Sequence, residues 1–359
     1  MTQENLNQMS QKSKKKIIII VLICLLVGVL VSVASVSTNE NKFLDKEYGF
    51  QGKVEQKLKD IIQGEPDSLE NEEIDTGANT LGSSVAGALS YDEDYTVTTK
   101  SNVVYGNASG MDLKIDIYTP NDVSAPTPLV LYIHGGGFKG GNKSGVADDA
   151  VMLAKHGTAV VGIDYRLSGT AVFPAPLHDI KGVARYMKAH ASEYNIDPNA
   201  FFTLGESAGG VLASLMGVTD GSITLEGTIG GNTGYDSNLA GVINISGSYV
   251  ASIVDTMSPG IQNSIGNEIG CSPVPSTTCE DEYEALSPEM YINSGDTPFL
   301  ILHGAKDQAV PTIQATTLDS KLGAVGVVSD IYIASDLAHV GGLLARYLDE
   351  VISFINTNS

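Results

Sequence analysis

Ala200-Phe201-Phe202-Thr203-Leu204, then Gly205-Glu206-Ser207-Ala208-Gly209, then Gly210-Val211-Leu212-Ala213-Ser214-Leu215-Met216 is the stretch whose reading decides the fold. The first five residues are apolar apart from one threonine and read as a strand, and the last seven read as a helix that packs one face on a sheet. Between them stands a serine flanked by glycines. A strand, a glycine-flanked serine and a helix make a nucleophile elbow: the glycines let the backbone pack closely through a sharp turn, and the serine hydroxyl is left exposed above the sheet. Ser207 is therefore the candidate nucleophile. A serine that only capped the helix would need neither the glycines nor the preceding strand.

Other runs surround this one. His134-Gly135-Gly136-Gly137-Phe138 follows the apolar stretch 129–133, and His303-Gly304-Ala305-Lys306-Asp307 follows 299–302, with His339 beyond it. Asp164-Tyr165-Arg166-Leu167 and Phe173-Pro174-Ala175-Pro176 lie ahead of the elbow. In these runs and their order the chain resembles the α/β-hydrolase carboxylesterases with an HGGG oxyanion motif. Within them it is similar to the bifunctional feruloyl and acetyl-xylan esterases and to the hormone-sensitive-lipase-like branch. The resemblance covers roughly residue 95 to the C-terminus. It implies an α/β fold with a mostly parallel central sheet, helices on both faces and an inserted lid. It further implies hydrolysis of carboxylic esters through an acyl-enzyme, without cofactor or metal. By the same resemblance the amides of Gly136 and Gly137, with that of Ala208, form an oxyanion hole, whose donors are typically worth roughly 3 to 4 kcal/mol each. A phosphate cradle is the competing reading of the glycine run, but no Gly-Lys-Ser/Thr triplet follows at the required spacing.

An acyl-enzyme mechanism needs a nucleophile, a base to take its proton, a group that orients the base, and donors for the oxyanion. In this fold the chain order is serine, acid, histidine. Of six histidines only His303 and His339 follow Ser207. His303 ends an apolar strand and reads as a bracing residue. His339 lies in Ala338-His339-Val340-Gly341-Gly342, between the last strand and the last helix, where the base belongs. The orienting acid should come from the loop after the strand ending at Leu302, which selects Asp307; Asp336, three residues from His339, is the weaker substitute. His134 is expected to brace the glycine loop. The chain has no tryptophan, so Tyr165, Tyr235, Tyr249 and Tyr291 are the candidate stacking faces for a sugar. A serine amidase or peptidase on the same scaffold is the alternative enzyme. A non-catalytic surface-binding protein is the alternative of another class, although such scaffolds usually lose a member of the triad.

The net charge of −21 argues against nucleic acid or an anionic lipid surface as partner of the folded part; a small-molecule or polysaccharide ester is the expected partner. Lys12, Lys14, Lys15 and Lys16 precede an uncharged apolar run at 17–36, which as a helix spans the roughly 30 Å hydrocarbon core of a bilayer. Lysines on that side keep residues 1–16 in the cytoplasm, so 17–36 is expected to anchor an extracellular catalytic domain. A cleaved signal peptide ending at Ser32-Val33-Ala34 and a secreted enzyme are the alternative. Residues 37–94 are acidic and polar and read as a solvated linker, with a short amphipathic helix at 54–62. Cys24 lies inside the apolar run. Cys271 and Cys279 bracket a proline-rich loop, and in an oxidising compartment they are expected to be joined. A zinc site there lacks further ligands.

The folded domain, 95–359, opens with a hairpin, 95–98 and 113–118, turned at 106–110. Strands follow at 129–133, 159–163, 200–204, 241–245, 299–302 and 329–333, alternating with helices at 146–156, 178–192, 209–217, 312–322 and 341–355, a pattern that calls for a parallel sheet. The stretch 246–297, rich in Gly, Ser and Pro, is too long for a simple connection and reads as a lid or binding loop.

Overall fold

The computed structural model describes residues 95–359. The expected tail (1–16), apolar segment (17–36), linker (37–94), helix at 54–62 and Cys24 lie outside the described residues. Among the described residues no helix is long and apolar enough to cross a membrane.

Eight strands form one sheet: β1 (Val97–Ala108), β2 (Met111–Pro120), β3 (Thr127–Ile133), β4 (Ala159–Ile163), β5 (Ile196–Glu206), β6 (Gly241–Ile245), β7 (Phe299–Gly304) and β8 (Ser329–Ala334). Their spatial order is β1-β2-β4-β3-β5-β6-β7-β8. β1 pairs antiparallel with β2, and β2 antiparallel with β4; every pair from β4 to β8 is parallel. The helices are α1 (Ala147–Lys155), α2 (Ala175–Ala189), α3 (Ala208–Val218), α4 (Ile223–Glu226), α5 (Pro259–Ile269), α6 (Glu280–Ala285), α7 (Thr312–Ala324), α8 (Leu343–Arg346) and α9 (Leu348–Asn358).

The two faces of the sheet are read directly from alternation along its strands. Leu129, Leu131 and Ile133 of β3, with Phe299 and Ile301 of β7, face a core completed by α2, α3 and α7. Val130 and Tyr132, with Leu300 and Leu302, face the opposite core under α1 and α9. Burial on both faces is why the central strands are continuous apolar runs rather than alternating ones. α3 carries apolar and small residues all round because every residue of it is buried, and such a helix needs no polar face.

Apart from shifted element ends, such as a hairpin turn at Ser109 and Gly110 where 106–110 was expected, three segments depart from the sequence reading. The last helix, expected at 341–355, is two, α8 and α9, broken at Tyr347. The connection 219–240, to which the sequence reading gave no structure, is held by two cations of α2 that are almost fully buried, Lys181 and Arg185. Lys181 Nζ donates to the Thr219 carbonyl at 2.9 Å. Arg185 donates to the Glu226 carboxylate and to the Ile229 carbonyl, the latter at 2.8 Å. A buried charge is tolerable only when so paired.

The third is the stretch 246–297, which contains helices rather than an irregular loop. Pro259 in the first turn starts α5 and Gly270, left-handed at φ 70°, ends it; both are signals of helix boundaries. Between α5 and α6 the disulfide Cys271–Cys279 ties the two ends of the proline-rich turn, Cα atoms 5.7 Å apart.

Candidate active site

Ser207 stands where β5 ends and α3 begins, with φ 51° and ψ −119°. This region is sparsely populated for a residue with a side chain and persists only where the surroundings impose it. They do so here. The Ser207 amide donates to the Ile245 carbonyl of the neighbouring strand at 2.9 Å, and its carbonyl accepts from Gly210 and Val211 at 2.9 and 3.2 Å. A Cβ on Gly209 would overlap the Ile133 carbonyl oxygen, so the start of α3 can lie against the end of β3 only without a side chain there. The Ser207 hydroxyl makes no helix-capping bond.

That hydroxyl is 2.8 Å from Nε2 of His339. Nδ1 of His339 is 2.6 Å from Oδ2 of Asp307. The three groups, brought from β5, the loop after β8 and the loop after β7, thus form one hydrogen-bonded series in which Asp307 accepts from Nδ1–H and leaves Nε2 to accept the serine proton. Asp336 is turned the other way: its two oxygens accept from Arg346 at 3.2 and 2.9 Å.

Asp307 is 7% exposed and its carboxylate is fully engaged. Oδ1 accepts the amides of Ala309 and Val310, each at 2.9 Å. Oδ2 faces His339 and, at 3.4 Å, Nε2 of His303. Burial alone would push this carboxyl up, but the hydrogen bonds from His303, His339 and the Val310 amide outweigh it and hold Asp307 far below the usual carboxylate range. His303 is fully buried, and its Nε2 donates to the Val310 carbonyl at 2.8 Å. It braces the acid's loop, as its position suggested.

The glycine loop lies alongside. Gly136 (φ 120°) and Gly137 (φ 59°) both have positive φ, and a Cβ on Gly136 would overlap the Gly140 carbonyl, so no other residue fits there. Among the described residues the amides of Gly136, Gly137 and Ala208 donate to no protein acceptor. His134 braces this loop from below: its ring stacks on Tyr165 at 4.4 Å between centroids, and Tyr165 Oη donates to the His134 carbonyl at 3.0 Å.

Two cavities meet at Ser207. One is a narrow recess between the glycine loop and the lid, with Phe138, Met257, Ile261, Leu286 and Val310 in its wall. The other, about 860 Å³, is lined by Gly136, Asn142, Glu206 and His339. Of the four tyrosines proposed as sugar platforms, Tyr165 and Tyr249 are buried and Tyr291 directs its hydroxyl to the Ala285 carbonyl. Tyr249 is 1% exposed, its hydroxyl donating to the Tyr283 carbonyl. Tyr235, 49% exposed, is the one with a free face. Buried tyrosines served the core because a ring gains more from packing than from solvent. Among the described residues no group of three or more His, Cys, Asp or Glu side chains converges as for a metal ion.

A doubly covered, mostly parallel sheet with a serine at its elbow and a histidine and aspartate in series behind it defines an α/β-hydrolase. The sequence model of the BD-FAE family matches residues 115–322, more than half of the chain, and the chain belongs to that family. It is 30% identical over 232 residues to a protein of Mycobacterium tuberculosis named probable carboxylic ester hydrolase LipM. That match covers 64% of this chain and 52% of the other, so the chain spans about half the length of that curated relative. Among solved structures it is similar to a truncated carbohydrate esterase from gut microbiota, at 25% identity and a TM-score of 0.65, covering 74% of this chain and 98% of that one. A thermophilic esterase of Thermogutta terrifontis, 20% identical with a TM-score of 0.58 over 73% and 92% of the two chains, shares the fold.

Proposed function

We propose that this chain is a serine carboxylic ester hydrolase acting on short-chain, acetyl or feruloyl esters, and that Ser207, His339 and Asp307 are its catalytic triad. The observation that carries the reading is the series Ser207 Oγ to His339 Nε2 at 2.8 Å and His339 Nδ1 to Asp307 at 2.6 Å. Such a series lets Ser207 Oγ bond to the ester carbonyl carbon as its proton passes to His339 Nε2. The carbonyl oxygen, now an anion, is received by the amides of Gly136, Gly137 and Ala208. Collapse breaks the bond to the alcohol oxygen, which takes the proton from His339. Water repeats the sequence and releases the acid. Asp307 stays ionised throughout and stabilises the imidazolium. The names borne by LipM and by the gut carbohydrate esterase support an ester, and in the second case a carbohydrate-borne one, as the substrate.

The catalytic domain is exported and tethered to the membrane by residues 17–36. The supporting observations are Lys12, Lys14, Lys15 and Lys16 ahead of the uncharged apolar run, and the Cys271–Cys279 bridge, which suits an oxidising compartment.

A fluorophosphonate probe tests the chemistry: the wild type should be labelled and Ser207→Ala should not. Labelling that survives in Ser207→Ala would remove the mechanism. Cell fractionation tests the tether. Membrane-bound protein, cut by external protease between residues 39 and 94, is expected; recovery only of a soluble form beginning at 35 or 36 would show cleavage instead.

A further inference from the structure

The chain around Ser246, the residue after β6, is tied to the carriers of Ser207, Asp307 and His339 alike. Ile245 accepts the Ser207 amide at 2.9 Å, and the Ser246 amide donates at 2.9 Å to the carbonyl of Leu302, on the strand that leads to Asp307. The Ser246 hydroxyl oxygen accepts the amide of Val340, next to His339, at 3.4 Å. Ser246 is fully buried. Resting on the ester-hydrolase reading, we infer that Ser246 is a positioning residue whose hydroxyl, acting through the Val340 amide, sets the distance between His339 and Ser207.

The loop that carries His339 is fastened at separate places with separate effects. The Lys306 amide donates to the Leu337 carbonyl at 2.9 Å, and a Cβ on Gly304 would overlap the Ala338 carbonyl oxygen. Both contacts tie the histidine's loop to the loop of Asp307, so they govern the His339–Asp307 pair at 2.6 Å. Neither reaches Ser207. The nucleophile ends β5, which pairs with β6, and the Ser246 hydroxyl joins the end of β6 to the histidine's loop.

Val340 shows why that joint matters. Its φ is 60°, which for a β-branched residue is an outlier, and the Gly341 amide closes the turn around it by donating to the His339 carbonyl at 2.7 Å. A three-residue turn with positive φ at its centre is rare and strained, and such strain persists only where the surroundings impose it. Here they are the isopropyl group, packed on the core beneath α1 and α9, and the Ser246 hydroxyl on the amide. Ser246 is itself at φ 50°, held there by its bond to Leu302. At 3.4 Å the bond to Val340 is long and adds little to stability. What it controls is direction, and a displacement of about 1 Å at a catalytic group can cost about a hundredfold in rate.

Ser246→Ala removes the acceptor, Ser246→Cys substitutes a weaker one, and Ser246→Gly removes it while relieving the positive φ. For p-nitrophenyl acetate, kcat should fall roughly ten- to a hundredfold in Ser246→Ala and Ser246→Gly, and less in Ser246→Cys, with KM within about twofold of the parent. The rate constant of fluorophosphonate labelling at Ser207 should fall with kcat, while its final extent stays complete. The low-field proton resonance of His339 Nδ1–H, identified by its loss in His339→Ala, should persist in all three Ser246 variants, because the bond to Asp307 is fastened separately, and be lost in Asp307→Asn. Parental kcat in Ser246→Gly would show that the hydroxyl is not needed. Labelling of lower extent at an unchanged rate constant would mean only a smaller folded fraction, and loss of the resonance in the Ser246 variants a general loosening of the site. Any of these three results overturns the positioning role while the wild type still labels at Ser207. A wild type that neither hydrolyses the ester nor labels overturns the hydrolase reading, and this inference with it.

Discussion

His303 and Asp307, four residues apart, are held together by the loop that follows Asp307: His303 Nε2 donates to the Val310 carbonyl at 2.8 Å while standing 3.4 Å from the Asp307 carboxylate. The carboxylate thus lies between two histidines, one buried and structural, the other His339. A carboxylate so engaged stays ionised, so the acid limb of the activity profile is not set by titration of Asp307.

The acid can be identified by contrast. Ser207→Ala and His339→Ala should each lower turnover of p-nitrophenyl acetate by roughly five to six orders of magnitude, and Asp307→Asn by roughly four. On the proposed mechanism the three act as a unit, so the double variant Ser207→Ala with His339→Ala should be hardly worse than either alone. Asp336→Asn, which removes only an exposed pair with Arg346, should retain near-parental activity. The opposite order for Asp307 and Asp336 would show that the wrong acid had been chosen.

His303→Phe removes the donor that helps hold Asp307 low. A depressed carboxyl contributes stability above its unfolded pKa and loses it as pH falls through the folded value. With the depression reduced, that loss moves to less acidic pH. We expect turnover at neutral pH to fall about tenfold, equivalent to roughly 1.4 kcal/mol, and the acid unfolding midpoint to rise. His303→Gln, which keeps a donor for the Val310 carbonyl, should recover part of both. Acid titrations followed by circular dichroism alongside kcat/KM provide the check.

Cys271 and Cys279 close a loop of eight-residue separation, and in the chain-entropy account such a bridge contributes at most roughly 2 to 3 kcal/mol. That constraint falls on the lid rather than on the sheet. Cys271→Ser should therefore leave the thermal midpoint within a few degrees of the parent while limited proteolysis cuts sooner between α5 and α6. Full reactivity of both thiols in unreduced, exported protein would be incompatible with the bridge.

Glu268, on α5, is fully buried with neither carboxylate oxygen hydrogen-bonded, and burial pushes its carboxyl up to about 8. The folded state holds this proton where the unfolded chain, titrating near 4.3, does not. Folded protein binds more protons between roughly pH 4.3 and 8, so stability falls as pH rises through that window and levels off above it. Glu268→Gln cannot ionise. The thermal midpoint of the wild type relative to this variant should therefore decline from pH 5 to 8; a constant difference would mean that Glu268 has a partner or is ionised throughout.

Much of this protein was legible one residue at a time. The central strands are buried on both faces, so 159–163 is an unbroken apolar run and 241–245 one interrupted only by Asn244, and their limits coincide with β4 and β6. Ser207 is marked by glycines that the backbone geometry of the elbow requires, and His339 and Asp307 by their places after β8 and β7. Other features were not legible because no local pattern encodes them. Lys181 and Arg185 carry no local mark of burial; only the fold brings Glu226 and the carbonyls of Thr219 and Ile229 over them. Tyr165 and Tyr249 looked like sugar platforms, and only packing shows them to be internal.

The sequence by itself determined the strand and helix succession, the elbow serine and the chain order of its partners, because these depend on hydrophobic period and on glycine at positions of fixed backbone shape. The tertiary structure alone decided that Asp336 turns to Arg346 while Asp307 meets His339 at 2.6 Å, and that lid residues some fifty to eighty positions beyond Ser207 close one side of the site. Both outcomes depend on distances between loops remote in the chain, which are fixed by how the strands pair across the sheet and by no preference of the loops themselves.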